Sequence, residues 1–229
     1  MKIKISILTL FILVATASLA QEIKYGVKVG MNVSSLRGDF PVEINEKSKI
    51  GFHAGAFLEY AINEKLSIQP ELIYSTQGGQ SDVEKYDEAL YYLGINPIPE
   101  LTYLNLPILL KYEFINRLSI EFGPQIGYLL SAQTKLEYID SSSRETVEID
   151  ILNGGNYTIF DSEVEIEPSV NRFDYGLNAG LSYELIKELF IQARYYLGIA
   201  VVDKTSARNR SSNYESKNSV LQFSLGYKF

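Results

Sequence analysis

The chain has 229 residues, of which 46% are hydrophobic, 12% aromatic and 21% charged, a composition that suits one sizeable folded domain and not a disordered chain. With no Cys, no Trp, a single His and 17 Tyr, it offers neither a disulfide framework nor a thiolate metal site. A formal charge of -7 and a pI near 4.9 argue against a nucleic-acid partner, because phosphate backbones are held by clustered Lys and Arg.

The opening residues 1–20, MKIKISILTLFILVATASLA, place two lysines before an apolar run and end in Ser18-Leu19-Ala20, small residues of the kind a signal peptidase reads. A membrane anchor is the rival reading. The run from Ile5 to Ala17 is shorter than the roughly 20 residues a helical span takes, so a signal peptide over 1–20 is expected, with the mature domain over 21–229. No Cys follows the cleavage point, so lipid attachment there is ruled out.

Beyond Gln21 the dominant pattern is alternation, the mark of a strand with one apolar face. In residues 23–34, Tyr25, Val27, Val29, Met31 and Val33 oppose Lys24, Gly26, Lys28, Gly30 and Asn32. In 51–61, Phe52, Ala54, Ala56, Leu58 and Tyr60 oppose Gly51, His53, Gly55, Phe57 and Glu59. Residues 66–74 set Leu66, Ile68, Pro70, Leu72 and Tyr74 against Ser67, Gln69, Glu71 and Ile73. The fourth segment, YLNLPILLKY at 103–112, sets Leu104, Leu106, Ile108, Leu110 and Tyr112 against Tyr103, Asn105, Pro107, Leu109 and Lys111. Further segments follow at 118–130, 173–184, 189–198 and 220–229, which makes about eight strands, the smallest common number for an outer-membrane barrel.

The connections alternate as well. INEK at 62–65, INR at 115–117 and LIKE at 185–188 are short, whereas 35–49, 78–100, 132–171 and 200–217 are long and polar. Short turns at one end and long loops at the other are the pattern of an up-and-down transmembrane barrel with periplasmic turns and extracellular loops.

Alternation alone does not say which face points outward, and a soluble lipocalin-like carrier would turn the apolar face inward around a ligand. Three features favour the lipid-facing arrangement. The polar face mixes Gly and Ser with its charges, as a narrow lumen requires. Tyr60, Tyr112, Tyr183, Tyr227 and Phe229 collect at the short-turn ends, with Tyr74, Tyr128, Tyr175 and Tyr195 nearer the loops. Tyr175 and Tyr183 are then about 20 Å apart along the membrane normal, at roughly 3.3 Å per residue and a tilt near 40°. The chain also stops on an outward aromatic, Phe229.

The polar face carries Lys24, Lys28, Lys111, Arg194 and Lys228 against Glu59, Glu71, Glu113, Glu121, Asp174 and Glu184. Near balance predicts lumen ion pairs, and eight strands leave an interior that side chains fill in place of a wide pore. Lys111 is expected to pair with Glu113, Glu71 or Glu121. Pro70, Pro107 and Pro124 remove ladder donors from adjacent strands, which predicts missing bonds and a bulge or local widening there.

GVKVGMN at 26–32, YLNLPILLKY at 103–112, EFGPQIGYLL at 121–130, ARYYLGI at 193–199 and the terminal LGYKF, with a signal ending at Ala20-Gln21, together resemble the porT-like outer-membrane β-barrel family of Bacteroidetes-type bacteria. The resemblance spans nearly the whole mature chain. It implies an eight-stranded outer-membrane barrel with no catalytic residues to carry over, and one member type of that family belongs to a secretion apparatus.

Candidate sites are few. His53 lies on the polar face between glycines, and a lipid-modifying enzyme would need it at the outer rim with a Ser and a carboxylate, partners that spacing does not identify. One His without Cys gives no transition-metal cluster. Asp161, Glu163, Glu165 and Glu167 alternate without the Gly of a calcium loop, so a solvated face is the simpler reading. NGGN at 153–156 reads as a turn between two extended arms, and residues 81–94 as a short helix carrying Tyr91 and Tyr92. Lys204, Arg208, Arg210 and Lys217 give the last loop a basic bias suited to the acidic loop or to lipopolysaccharide phosphates.

The sequence therefore predicts an all-β, eight-stranded antiparallel barrel in the outer membrane, monomeric and non-enzymatic, without catalytic, cofactor or metal residues. It would serve as an anchor presenting loops, in contact with outer-membrane lipid and lipopolysaccharide and recognised by the barrel-assembly machinery through its last strand. An envelope or protein-secretion assembly component, a small lipid-modifying enzyme and a soluble carrier are the alternatives.

Overall fold

The computed structural model describes residues 23–38, 46–81, 96–139, 144–159, 162–203 and 215–229. The expected signal peptide, most of the expected helix over 81–94, Asp161, and Lys204, Arg208 and Arg210 lie outside the described residues.

The chain runs through β1 (Ile23–Arg37), β2 (Glu46–Ala61), β3 (Leu66–Ser81), β4 (Asn96–Ile115), β5 (Leu118–Ile139), β6 (Arg144–Asp150), β7 (Gly155–Ile159), β8 (Ser162–Ile166), β9 (Phe173–Glu184), β10 (Leu189–Gly198) and β11 (Lys217–Lys228). Eight of these form a closed antiparallel barrel in the order β1-β2-β3-β4-β5-β9-β10-β11, completed where β11 pairs with β1. The first and last strands meet at the seam. The Phe229 amide donates to the Tyr25 carbonyl at 2.8 Å, and the two rings stack at 5.4 Å. All eight strands expected from alternation are present. Several are longer than alternation shows, because beyond the lipid neither face meets hydrocarbon and the period-two signal fades.

The apolar face points outward. Val29 and Phe122 are each 57% exposed, while Arg194 on the opposite face is 1% exposed. In water such an all-round apolar belt would be far larger than a soluble monomer leaves uncovered, so the soluble-carrier alternative fails. Aromatic residues rim the belt as expected. Tyr25, Tyr112, Tyr183, Tyr227 and Phe229 are exposed near one end, and Phe52, Tyr74, Tyr128, Phe173, Tyr175 and Tyr195 near the other.

The turns at 62–65, 116–117 and 185–188 are short. Arg117 takes a left-handed conformation (φ 69°) in the tightest of them, and its amide donates to Glu113 Oε1 at 3.2 Å.

The three prolines interrupt three successive seams. Pairing lapses between Phe57–Glu71 and Tyr60–Ile68 at Pro70, between Pro70–Ile108 and Ile73–Asn105 at Pro107, and between Pro107–Gln125 and Leu110–Phe122 at Pro124. The register is the same on both sides of each gap. In an antiparallel strand a residue's N–H and C=O face the same neighbour, so each proline opens one seam and leaves the other intact; β5 pairs with β9 straight through Pro124 and Leu177. The missing bonds are therefore present, but the expected bulge is not at the prolines. Register shifts occur elsewhere, at Ser48/His53, Thr102/Tyr103 and Glu113/Ile115.

At the outer end β4 and β5 continue past the lipid, and β6 adds to β5 from Gln133–Asp150 to Ile139–Arg144, forming a three-stranded sheet. β7 and β8 make a separate hairpin. NGGN does lie in a turn between two extended arms, as expected, but the arms, β6 and β7, belong to different sheets and do not pair as a hairpin. Gly154 there has φ 75°, a left-handed conformation that glycine adopts without strain.

Candidate functional site

Among the described residues, the barrel interior is where many polar side chains are held away from solvent, and it is filled at successive levels. At the periplasmic end a polar vestibule of about 250 Å³ is lined by Lys24, Glu59, Lys65, Lys111, Glu113 and Glu184. Lys228 donates to Glu184 and lies 3.0 Å from Glu59, and Lys111 lies 3.5 Å from the same Glu59 carboxylate. Lys111 is thus paired with none of its three expected partners. Glu121, opposite it in register, is already bound by Arg194 and Gln192, and the long lysine stem reaches Glu59 on β2 instead.

Above the vestibule sits an aromatic lock. Phe57 and Phe190 meet edge to face at 5.5 Å, and the ammonium groups of Lys111 and Lys228 each lie 5.6 Å from the Phe190 ring centre, within cation–π range. The ring fits because its cross-strand neighbour is Gly226: a Cβ there would fall 2.2 Å from Phe190 Cζ.

At mid-height the charges form one network. Arg194 grips Glu71 with both terminal nitrogens at 2.8 Å and reaches Glu121 at 3.1 Å. Lys28 donates to Gln192 at 3.0 Å and pairs with Glu71 at 2.7 Å. Gln69 donates to Glu71 at 2.7 Å, and Gln192 to Glu121 at 2.7 and 3.0 Å. Two cations face two carboxylates, so the network is neutral. Such a network adds little net stability over an apolar core, but removing one member leaves a buried charge at a cost of about 3–5 kcal/mol. The expectation of lumen ion pairs therefore holds.

His53 is buried and has two partners that spacing did not reveal. Its Nδ1 lies 2.8 Å from Asn32 Oδ1, and its Nε2 lies 2.8 Å from Ser224 Oγ. Asn32 Nδ2 donates to the carbonyls of Phe52 and Thr76, which turns Oδ1 toward the imidazole. His53 Nδ1 must then carry the proton, and Nε2 accepts from the Ser224 hydroxyl. The relay resembles a Ser–His dyad with an orienting amide, but it sits inside the wall over Gly30, with all three side chains buried. An enzyme needs the hydroxyl beside a space where a reacting atom can sit. Here the hydroxyl is enclosed, and the group behind the imidazole is an amide where a carboxylate was sought.

Over the upper lumen lies an apolar cap. Leu101, Leu129 and Ala132 of the extended strands pack with Leu152, Val170 and Val202 from the outer connections. Each fully buried aliphatic side chain contributes at most about 1.5–3 kcal/mol. Backbone bonds tie the cap down, from Ile151 to Ala132, Ser169 to Ile151 and Asn171 to Val202.

Outside the membrane, Glu163 and Glu165 on β8 are exposed, and Lys217 pairs with Glu215 at 3.0 Å within its own segment. Lys49 donates to Glu100 at 2.5 Å and holds its carboxyl below the ordinary carboxylate value. Partial burial pushes the Asp150 carboxyl up, but hydrogen bonds from Asn153 and Leu152 outweigh it and leave it below the ordinary value.

A family match agrees with this architecture. The family model described as "Outer membrane protein beta-barrel domain" matches residues 19–204. No curated protein matches the chain. Among solved structures, Ail, the attachment invasion locus protein of Yersinia pestis, is 13% identical, covering 91% of this chain and 99% of its own with a TM-score of 0.49. A major outer membrane protein from Thermus thermophilus is 13% identical, covering 91% and 100% with a TM-score of 0.49. Neisserial surface protein A is 11% identical, covering 90% and 97% with a TM-score of 0.47.

Proposed function

The chain belongs to the outer membrane protein β-barrel domain family, and we propose that within it this protein is a non-enzymatic anchor that presents an extracellular sheet to a binding partner. Its location is the outer membrane. The observation that carries the reading is that the lumen is filled from the Phe57–Phe190 lock through the Glu71 network to the apolar cap, while β4, β5 and β6 continue outward as paired structure. A plugged eight-stranded barrel with its strands built out beyond the lipid is suited to display, not to solute passage.

The resemblance of β1, β4, β5, β10 and β11 to the porT-like family supports a finer placement in that family, with an envelope or secretion assembly as the partner. Lipopolysaccharide contact through the outer rim and recognition of β11 by the assembly machinery belong to the same proposal.

Two measurements test it together. Proteoliposomes bearing the folded protein should exclude ions and small sugars. Replacing residues 133–150 with a short turn should leave the barrel folded but remove its partner from crosslinked envelopes. Solute flux through the unaltered protein, or unchanged crosslinking after the replacement, refutes the reading.

A further inference from the structure

A strand that ends a sheet leaves half of its backbone N–H and C=O groups without a ladder partner, and proteins either blunt such edges or bind through them. Beyond Gly78–Glu100, where pairing between β3 and β4 stops, the extracellular sheet is β4-β5-β6, with β4 and β6 at its edges.

One bond sets the phase of both edges. The Ile151 amide donates to the Ala132 carbonyl at 3.0 Å, and β5 and β6 stay in register from Gln133–Asp150 to Ile139–Arg144. A residue's N–H and C=O point to the same side of a strand, and successive residues alternate. Ile149, Val147 and Glu145 therefore bond to β5, while Asp150, Glu148 and Thr146 turn their backbone groups to the open side. Asp150 bears this out: its amide donates to the Tyr157 hydroxyl at 2.8 Å, and its carbonyl accepts from the Gly154 amide at 3.0 Å. Thr146 and Glu148 are exposed, and among the described residues no strand pairs with that edge.

The same phase carried across β5 makes Glu100, Ile98 and Asn96 bond to β5, so that Pro97 and Pro99 face away from it. Proline has no N–H to offer, which makes the β4 edge a poor template for a further strand. β6, with the sequence RETVEID, has no proline. One edge of the sheet is blunted and the other is left competent to pair. The β7–β8 hairpin also has edges, but it is two strands of five residues, whereas β6 is backed by β5 and through it by the barrel wall.

We propose that the open edge of β6 docks an extended, cationic segment of a partner protein as a further strand. Main-chain bonds to Thr146 and Glu148 supply the affinity and charge supplies the selectivity. The strand carries Glu145, Glu148 and Asp150 against Arg144. Lys135 lies 3.5 Å from Glu148 but is shared with Glu100 at 3.6 Å, so the edge keeps an acidic excess. A partner with Lys or Arg at alternate positions sets opposite charges across the new pair. The proposal rests on the display reading and names the chemistry of its partner.

The test titrates the full mature chain in detergent micelles with an acetylated and amidated peptide of strand length that alternates Lys and Thr. Binding should be saturable and should slow hydrogen exchange at the Thr146 and Glu148 amides more than at Val147 and Ile149, which already bond to β5. The same peptide with every amide N-methylated, and a counterpart alternating Glu and Thr, should not bind. Thr146→Pro removes one outward N–H without touching a bond to β5, and should weaken binding about tenfold, the effect of one lost ladder bond. If that variant does not fold, Glu148→Lys decides, since it should weaken the Lys peptide and admit the Glu one. Equal binding of the N-methylated peptide overturns the proposal in favour of charge alone. Absence of binding overturns it outright, and protection of Thr146 and Glu148 that instead grows with protein concentration assigns the edge to a second copy of this chain. Should the peptide fail while replacement of residues 133–150 still removes the crosslinked partner, edge pairing falls and display stands; should the peptide bind while crosslinking survives the replacement, display falls.

Discussion

Glu71→Gln probes the mid-lumen network most directly. The carboxylate accepts two bonds from Arg194 at 2.8 Å and one from Gln69 at 2.7 Å, and pairs with Lys28 at 2.7 Å. The substitution keeps the shape and one acceptor but leaves Lys28 and Arg194 facing only Glu121, a net charge of one in a region with side-chain exposure of 0–1%. Breaking a buried pair in this way costs about 3–5 kcal/mol. Adding Lys28→Met restores neutrality by leaving Arg194 with Glu121, so the double variant should be more stable than the sum of the single effects by about 1–3 kcal/mol. Urea unfolding in micelles reads both quantities through tyrosine fluorescence, since the chain has 17 Tyr and no Trp, with gel mobility of the unheated protein as a second probe. A cost below about 1 kcal/mol for Glu71→Gln, or strict additivity in the double variant, would show that the lumen is wet enough to screen these charges and would refute the sealed-lumen reasoning.

Depth in the membrane should govern the cost of charge on the outer face. Ala179→Arg, midway along β9 and facing lipid, should destabilise the barrel by about 2–4 kcal/mol, while Phe173→Arg at the rim should cost roughly 0–1 kcal/mol by the same unfolding measurement. The outer connection should loosen in acid. Asp150 has a folded-state pKa below its unfolded value, so its contribution is present above the ordinary carboxylate value near 3.9 and is lost as pH falls through the lower folded value. Hydrogen exchange of the Leu152 and Asn153 amides should therefore accelerate below about pH 4, and Asp150→Asn should remove that acid-dependent change.

The resemblance and the alternation both pointed to an eight-stranded barrel, and the alternation did so for a physical reason. A strand between lipid and lumen must separate apolar from polar residues with a period of two, so Val27, Val29 and Met31 opposite Lys28 and Gly30 declare a strand and its two faces. The prolines announced lost ladder bonds, but not that each would open a different seam with the register intact. Extracellular pairing of β4, β5 and β6 was less legible, since a strand with neither face in lipid has no obligation to alternate.

Lumen partners were the least legible feature. Residue type and face could show that Lys28, Glu71, Glu121 and Arg194 share an interior, as balanced charges there require. Which carboxylate each cation takes depends on side-chain reach across the barrel: Arg194 meets Glu71 across 123 positions, and His53 meets Ser224 across 171. Lys111 misses the Glu121 directly opposite it for the same reason, because Arg194 and Gln192 already occupy that carboxylate. The sequence by itself determined the strands, their faces and the membrane they suit, because periodicity is a local property of the backbone. Only barrel closure decided that Glu71 is paired and that His53 is enclosed, because those outcomes depend on which distant side chains the closed wall brings into one small volume.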